Sequence, residues 1–450
     1  MPVTSHANAA TTVLILGSII GLAMLVITPP FQVPDEDAHF FRAYQVATFD
    51  LGLENRNGRV GADLPRALLD TKRLFEGLIL DPSRKVDASM YTRALSVTDR
   101  DPVFCSPILP YPPVPYVAQA VGMILGNSLD APPIVSFYLA RILNLALFLF
   151  LATWAIRWMP VMRWGLALLV LMPMTMYEAG SLSADAFTIG ISFLMIAFFL
   201  RSAAREEPLS AGEIAFLFAG AVLLALAKQG YSPLVLLALM IPSDRFRTRA
   251  RKAWIISGLF IATAAIGIGC TIAIRDYSIG LPGSDSAEQL RFILTHPLAY
   301  IATLTRSCFR ASHFGSFIGW FGWLEIRLPL WIIIPYGLLL IAVPFVERRA
   351  SRFSRGRRFL TGAIFAFLVA IVFTVQYLQW TVVGKMSIDG VQGRYFIPFA
   401  PLLLLLFSNT RFCLSFDDHT LARRMLVGFI LLANGVSAAM LLIRYYPLSL

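Results

Sequence analysis

The sequence is poor in charge: only 14% of its 450 residues are Asp, Glu, Lys or Arg. Soluble domains carry about 25%. With the missing charge replaced by long apolar blocks, a water-soluble globule is excluded. Cysteine is also scarce. The four, Cys105, Cys270, Cys308 and Cys413, have no metal-ligand spacing. A Cys105–Cys308 pair would need both residues on one side of a membrane with close Cα atoms. No G-x-x-x-x-G-K-[ST] or G-x-G-x-x-G stretch occurs, so nothing points to a nucleotide held by a glycine-rich loop. Residues 1–10 lack Lys and Arg, and the apolar run 11–28 ends in Thr28-Pro29-Pro30. A secretory signal would begin basic and end at a small-residue cleavage site, so this run reads as a retained span. There is no repeat of fixed period and no low-complexity tract.

What is present is hydrophobic: 57% of the chain, with a net charge of +11. The basic residues sit in short loops between apolar runs, the pattern of cytoplasmic loops, and give no reason to invoke nucleic acid. The expected fold is an all-α integral membrane protein, a single polytopic domain over 1–450. Its spans are 11–28, 134–156, 164–178, 184–201, 210–227, 231–243, 253–275, 328–346, 359–383, 397–410 and 425–443. With the amino terminus inside, the inner loops 157–163, 201–209, 244–252, 347–358 and 411–424 hold eighteen Lys/Arg, against four in the short outer segments (Lys228, Lys385, Arg394, Arg444). The positive-inside rule then favours eleven spans, a cytoplasmic amino terminus and an extracytoplasmic carboxyl terminus.

Two longer segments fall outside. Segment 29–133 carries thirteen Asp/Glu and ten Lys/Arg and is expected to be a folded aqueous loop with short surface helices. One of these is the run 111–126, bracketed by prolines and too short to span. Segment 276–327 is expected to hold a helix from Pro297 with Arg306 and Arg310 on one face. Trp320 and Trp323 suit an interfacial aromatic belt.

The loop opens with "PPFQVPDEDAHFFRAYQVA". Pro34 suits the first position of a helix, with Asp35 and Glu36 in its first turn. Asp35, His39 and Arg42 then share a face. Such carboxylates can deprotonate a hydroxyl or hold a divalent cation through oxygen. They can equally serve the helix dipole, which would also lower a carboxylate's pKa, and Arg42 can simply pair with Asp35 or with anionic lipid. Other polar groups border the same face: Glu178 and Asp185 around "AGSLSAD", Lys228, Gln229 and Tyr231 in "LAKQGYSP", and Asp389, Gln392, Arg394 and Tyr395 in "IDGVQGRYFIPF". Each alone has a bland reading: Arg394 can snorkel and Lys228 can cap a helix. Together they suggest a pathway or cavity.

The stretches "PDEDAHFFRAYQVA", "YPPVPYVAQAVG" followed by "ARILNLALF", "SLSADAF", "KQGYSPL" and "GVQGRYFIPF" resemble a family of bacterial multispanning membrane proteins of unknown function. Members share a P-D-E-x-x-H-F-x-R-A-Y-like first loop and a late Q-G-R-Y-F-x-P motif. That family in turn is similar to the GT-C superfamily of membrane glycosyltransferases, with an acidic residue just after the first span and a membrane-surface helix in a long first outer loop. The resemblance implies sugar transfer from a polyprenyl-phosphate carrier to a glycan or lipid acceptor, with Asp35 or Glu36 as base or metal ligand. His39, Arg42, Lys228, Tyr231, Gln392, Arg394 and Tyr395 would contact substrate, Arg394, Lys228 and Arg42 stabilising charge on the departing phosphate. No second acidic cluster of a diagnostic kind is present, so a divalent cation stays an open option and no cofactor is assigned. The expected location is the plasma membrane, among membrane lipids. The alternatives are a transporter or flippase for a lipid-linked precursor, disfavoured by the lack of matching halves, and a non-catalytic component of polysaccharide assembly.

Overall fold

A computed structural model of the chain describes residues 4–56, 59–93, 100–104, 110–277, 283–347, 354–408 and 420–447. Apolar blocks in lipid must satisfy their backbone groups internally, so they form helices. Among the described residues six helices are long and apolar enough to cross a membrane: Ala9–Ile27, Pro133–Trp158, Ala184–Ala204, Arg249–Tyr277, Arg355–Trp380 and Thr420–Tyr445. Four shorter apolar helices accompany them: Ala211–Ala227, Gln229–Met240, Leu330–Phe345 and Gly393–Phe407. Each corresponds to an expected span, but these four fall short of crossing length.

The expected span 164–178 is broken into helices Arg163–Val170 and Pro173–Ala179. The cause is Pro173, which lacks an N–H and pushes Met172 to ψ 138°, outside the helical region. Gln229–Met240 is wound as a 3-10 helix around Pro233; such runs rarely exceed four residues.

The core is asymmetric. Ala184–Ala204 is 94% buried and forms the central pillar, whereas Arg249–Tyr277 is 17% buried and lines the periphery. The first span crosses Pro133–Trp158 closely. A Cβ on Gly17 would lie 2.6 Å from Leu149 Cδ2, and one on Gly21 2.5 Å from Leu145 Cδ1.

Segment 29–133 has a second core around Phe31, Phe40, Phe41 and Phe75, closed by Phe137 and Ala140 of helix Pro133–Trp158. It contains helices Glu36–Thr48 and Arg66–Glu76 and an antiparallel sheet of β1 (Glu54–Arg56), β2 (Arg59–Pro65) and β3 (Arg100–Phe104), paired in that order. The sheet departs from a loop of helices alone. In place of the 111–126 run stand the turn Val114–Tyr116 and helix Val117–Ser128. This helix exposes Val117, Val121, Ile124 and Leu125 and lays Gly122 so tightly on Pro133–Trp158 that a Cβ there would sit 2.4 Å from Ala140 N. Cys105 lies outside the described residues, and so does its pairing with Cys308.

In segment 276–327 the helix from Pro297 ends at Cys308. Arg310 therefore does not continue the Arg306 face; it is extended and donates to the Ile388 carbonyl at 3.2 Å. Trp323 turns toward the first loop, its Nε1 donating to Phe31 O at 3.3 Å.

The end of the last helix is strapped by the first loop. Lys85 Nζ donates to Ile443 O and Arg444 O at 2.9 Å, Val86 N donates to Tyr445 O at 2.8 Å, and Arg444 Nη2 donates to Leu78 O at 2.6 Å. The first loop and the carboxyl-terminal end of the last helix thus lie at one end of the bundle.

Candidate functional site

Two adjacent carboxylates organise this end of the bundle. Asp35 occupies the N-cap position of the helix Glu36–Thr48 in a left-handed conformation, φ 66°, with no side-chain capping bond; the helix starts two residues later than expected and Asp35 stands outside its first turn. Asp35 is half-buried, and among the described residues its carboxylate makes no hydrogen bond or ion pair; its backbone carbonyl accepts from His39 N at 3.1 Å. The charges it faces are Arg394, Asp37, Lys228 and Asp185; burial outweighs the two cations and pushes its carboxyl above the ordinary value. The helix dipole alone would do the reverse; burial prevails, and the carboxylate accepts no capping hydrogen bond that would offset it.

Glu36 is fully buried and fully used. Arg141 grips it with two forks, Nε to Oε1 at 2.8 Å and Nη2 to Oε2 at 2.7 Å. Phe31 N and Leu182 N donate to the same carboxylate at 2.9 Å. Arg141 also donates through Nη1 to Leu25 O at 2.9 Å and Thr28 O at 2.7 Å, the open carbonyls at the end of the first span. Glu36 therefore ties the first span, the first loop and the turn before Asp185 together. It does not face the cations that Asp35 faces.

That turn, 180–183, is held from three sides. Asn144 Nδ2 donates to Ser181 O at 2.8 Å, Gln119 Nε2 to Ser183 O at 3.0 Å, and Leu182 N is on Glu36. Ser183 Oγ caps the central helix by accepting from Asp185 N at 3.0 Å. Asp185 is thereby aimed at Lys228, with which it forms a direct ion pair. Lys228 ends helix Ala211–Ala227 in an extended conformation, its ammonium 5.7 Å from the Tyr395 ring centre.

Arg394 comes from the late motif. Gly393 N donates to Ser316 Oγ at 2.9 Å, and the backbone there touches helix Ala311–Gly319: a Cβ on Gly393 would lie 2.1 Å from Phe317 N and 2.2 Å from His313 O. Only glycine permits that approach. It sets Arg394 Nη1 2.7 Å from Glu178 Oε1 and Nε 4.0 Å from Asp185 Oδ2. Tyr231 Oη donates to Tyr395 O at 2.9 Å and fixes the next residue. Gln392 caps the turn, accepting Tyr395 N at 3.1 Å on its carbonyl; its Oε1 is buried without a partner.

His39 Nδ1 meets Tyr116 Oη at 2.8 Å. Burial pushes the imidazole down to about 3, so it stays neutral; Asp185, Lys228 and Arg394 are the charges nearest in effect. Arg42 does not pair with Asp35. It donates from Nε to Tyr111 O at 2.9 Å and from Nη1 to Gln45 Oε1 at 3.1 Å. Asp389 pairs with Lys385 instead of joining the group.

Asp35, His39, Lys228, Arg394, Tyr231 and Tyr395 thus adjoin one charged centre that includes Asp185 and Glu178. Glu36 and Arg42 serve its frame. Sequence reasoning passed over Arg141, although it is the one formal charge in the first-loop half of the apolar helix Pro133–Trp158, a position that signals a committed partner. Among the described residues no three His, Cys, Asp or Glu side chains are grouped to hold a metal ion.

The bundle and the charged centre at its looped end define a multi-pass helical membrane protein. The profile of a family described as "Predicted membrane protein (DUF2142)" matches residues 18–403. The chain belongs to that family, whose function is unknown. No curated protein and no solved structure matches the chain.

Proposed function

We propose that this protein is a membrane glycosyltransferase that moves a sugar from a polyprenyl-phosphate carrier to a cell-envelope acceptor at the outer face of the plasma membrane. The observation that carries the reading is Asp35: a carboxylate without a partner, held in a left-handed backbone turn, opposite Lys228 and Arg394. Its raised pKa makes it a better base than an ordinary aspartate. In the reaction Asp35 takes the proton of the acceptor hydroxyl. The acceptor oxygen bonds to the anomeric carbon as the bond from that carbon to the phosphate oxygen breaks, with inversion. The electron pair leaves on the polyprenyl phosphate, where fixed cations stabilise the growing charge. Glu36 acts as a positioning residue through Arg141.

A groove of about 610 Å³ supports a lipid substrate. It begins at Gln229, next to Lys228, and continues between Ser232, Leu236, Phe260, Ile268 and Phe367. Its walls belong to Gln229–Met240, Arg249–Ile274 and Arg355–Trp380; Ile268 and Ile272 are exposed on the lipid side. The outer placement rests on the basic residues at the opposite loops.

The test is transfer of label from polyprenyl-phosphate sugars to endogenous acceptor in proteoliposomes. Asp35→Asn is expected to remain in the membrane and lose transfer; full transfer in that variant overturns the proposal. Movement of the lipid across the bilayer without covalent change would favour a flippase.

A further inference from the structure

Three carboxylates, Asp35, Glu178 and Asp185, face two cations, Lys228 and Arg394, and each cation already has a carboxylate partner. An anionic headgroup therefore meets no free positive charge. To gain an ion pair with either cation it must replace a carboxylate, and the two pairs differ in how replaceable they are. Glu178 and Arg394 side chains are 0% and 5% exposed, Asp185 and Lys228 11% and 23%. Breaking the dry pair strands a buried charge, and the tight seat of Gly393 fixes the backbone from which Arg394 reaches. The Lys228–Asp185 pair is the more exposed of the two, and Gln229, the residue after Lys228, lines the groove.

Asp185 also has somewhere to go. Arg394 Nε is buried without a hydrogen-bond partner, and Asp185 Oδ2 is already 4.0 Å from it. A shift of about an ångström would make that a hydrogen bond. Around Lys228 stand Tyr111, Tyr231 and Tyr395. Tyr111 and Tyr395 are half-buried, and neither hydroxyl has a hydrogen-bond partner among the described residues. They are donors ready for phosphate oxygens.

We infer that Asp185 is a resident competitor for Lys228, and that a phosphate-bearing headgroup binds by ion-pair exchange: the phosphate takes the ammonium of Lys228 while Asp185 moves onto Arg394. The exchange deepens, and rests on, the lipid-phosphate reading above. It makes this pair selective for an anion over a neutral lipid of the same chain, because a neutral headgroup cannot replace the carboxylate.

Farnesyl phosphate, with farnesol as the uncharged control, tests this on the full chain in detergent by equilibrium binding. Asp185→Asn, which keeps shape and removes the competitor, is expected to tighten farnesyl phosphate about tenfold and leave farnesol unchanged. Lys228→Gln is expected to lose the preference for phosphate. Asp185→Glu, which keeps a competing charge, is expected to stay within about threefold of wild type; it carries the test if the asparagine variant does not fold, because a gain for it as large as tenfold overturns the exchange. Equal or weaker farnesyl phosphate binding in a folded Asp185→Asn also overturns it. Wild type that does not prefer phosphate over alcohol overturns the lipid-phosphate reading and the exchange together; wild type that prefers it, without a gain in Asp185→Asn, overturns the exchange alone.

Discussion

Asp35 and Glu36 are neighbours in the chain and opposites in environment. The left-handed turn at Asp35 leaves its carboxylate without a partner, whereas Glu36 accepts from Arg141, Phe31 and Leu182. One carboxylate is left unpaired while the next is immobilised. The backbone strain at Asp35 is of the kind that persists only where the surroundings over-determine it, and Glu36 with its four donors supplies that constraint.

The division predicts opposite outcomes for two conservative changes. Glu36→Gln leaves Arg141 buried without its counter-charge and is expected to cost about 3–5 kcal/mol. Asp35→Asn is expected to fold at least as well as wild type. Melting in detergent, followed by size-exclusion fluorescence, reads both. Equal melting of the two variants would remove the distinction.

Acidity acts on Asp35 and His39 with opposite sign. Burial raises Asp35 above its ordinary 3.8, so between 3.8 and its native value the folded protein holds a proton the unfolded chain lacks. That contribution is full below 3.8 and is lost as pH rises through the native value. Asp35→Asn should therefore raise the melting temperature at pH 7–8 more than at pH 4. His39 is lowered from 6.5 to about 3. Its contribution is present above 6.5 and is lost as pH falls toward 3, so His39→Gln should flatten the decline on the acid side. A pH–stability curve unchanged in both variants would contradict these assignments.

Gly393→Ala forces a Cβ to 2.1 Å from one backbone atom and 2.2 Å from another. Neither can yield as a side chain would, so the late motif must shift and transfer should be abolished. Gly212→Ala is the control: nothing lies within 4 Å of its Cβ, and in the helix Ala211–Ala227 alanine is favoured by about 0.5–1 kcal/mol. Normal transfer in Gly393→Ala would mean that Arg394 need not be where it is.

Orientation is open to a labelling test. In a cysteine-free chain, Ser83→Cys in the exposed first loop should react with an impermeant maleimide in intact cells. Glu207→Cys, exposed between Ala184–Ala204 and Ala211–Ala227, should react only after permeabilisation. The reverse pattern would turn the protein over and move Asp35 to the cytoplasm.

Much of the helical plan was readable, because lipid forces apolar blocks to be helical whatever their neighbours. Span lengths were not: Pro173 and Pro233 reset helices that hydropathy alone reads as continuous. The charged centre was readable only in part, and its pairing was not. Asp35, Lys228 and Arg394 could be named from their place at span ends. That Glu36 would be consumed by Arg141, and Arg42 by the Tyr111 carbonyl, depends on contacts 105 and 69 residues apart in sequence. The sheet of the first loop escaped notice because β1 and β3 span only three and five residues.

The strap between Lys85–Val86 and residues 443–445 has a consequence for biogenesis. Its partners are separated by 358 residues or more, so the loop that emerges early from the ribosome lacks its last anchor until the chain is nearly finished. At about 5–20 residues per second that delay is on the order of tens of seconds. Throughout it Leu78, Lys85 and Val86 lack their partners on the last helix, whereas the Glu36–Arg141 lock beside Asp35 needs only residues up to 182, so the charged centre's frame can close long before the strap does.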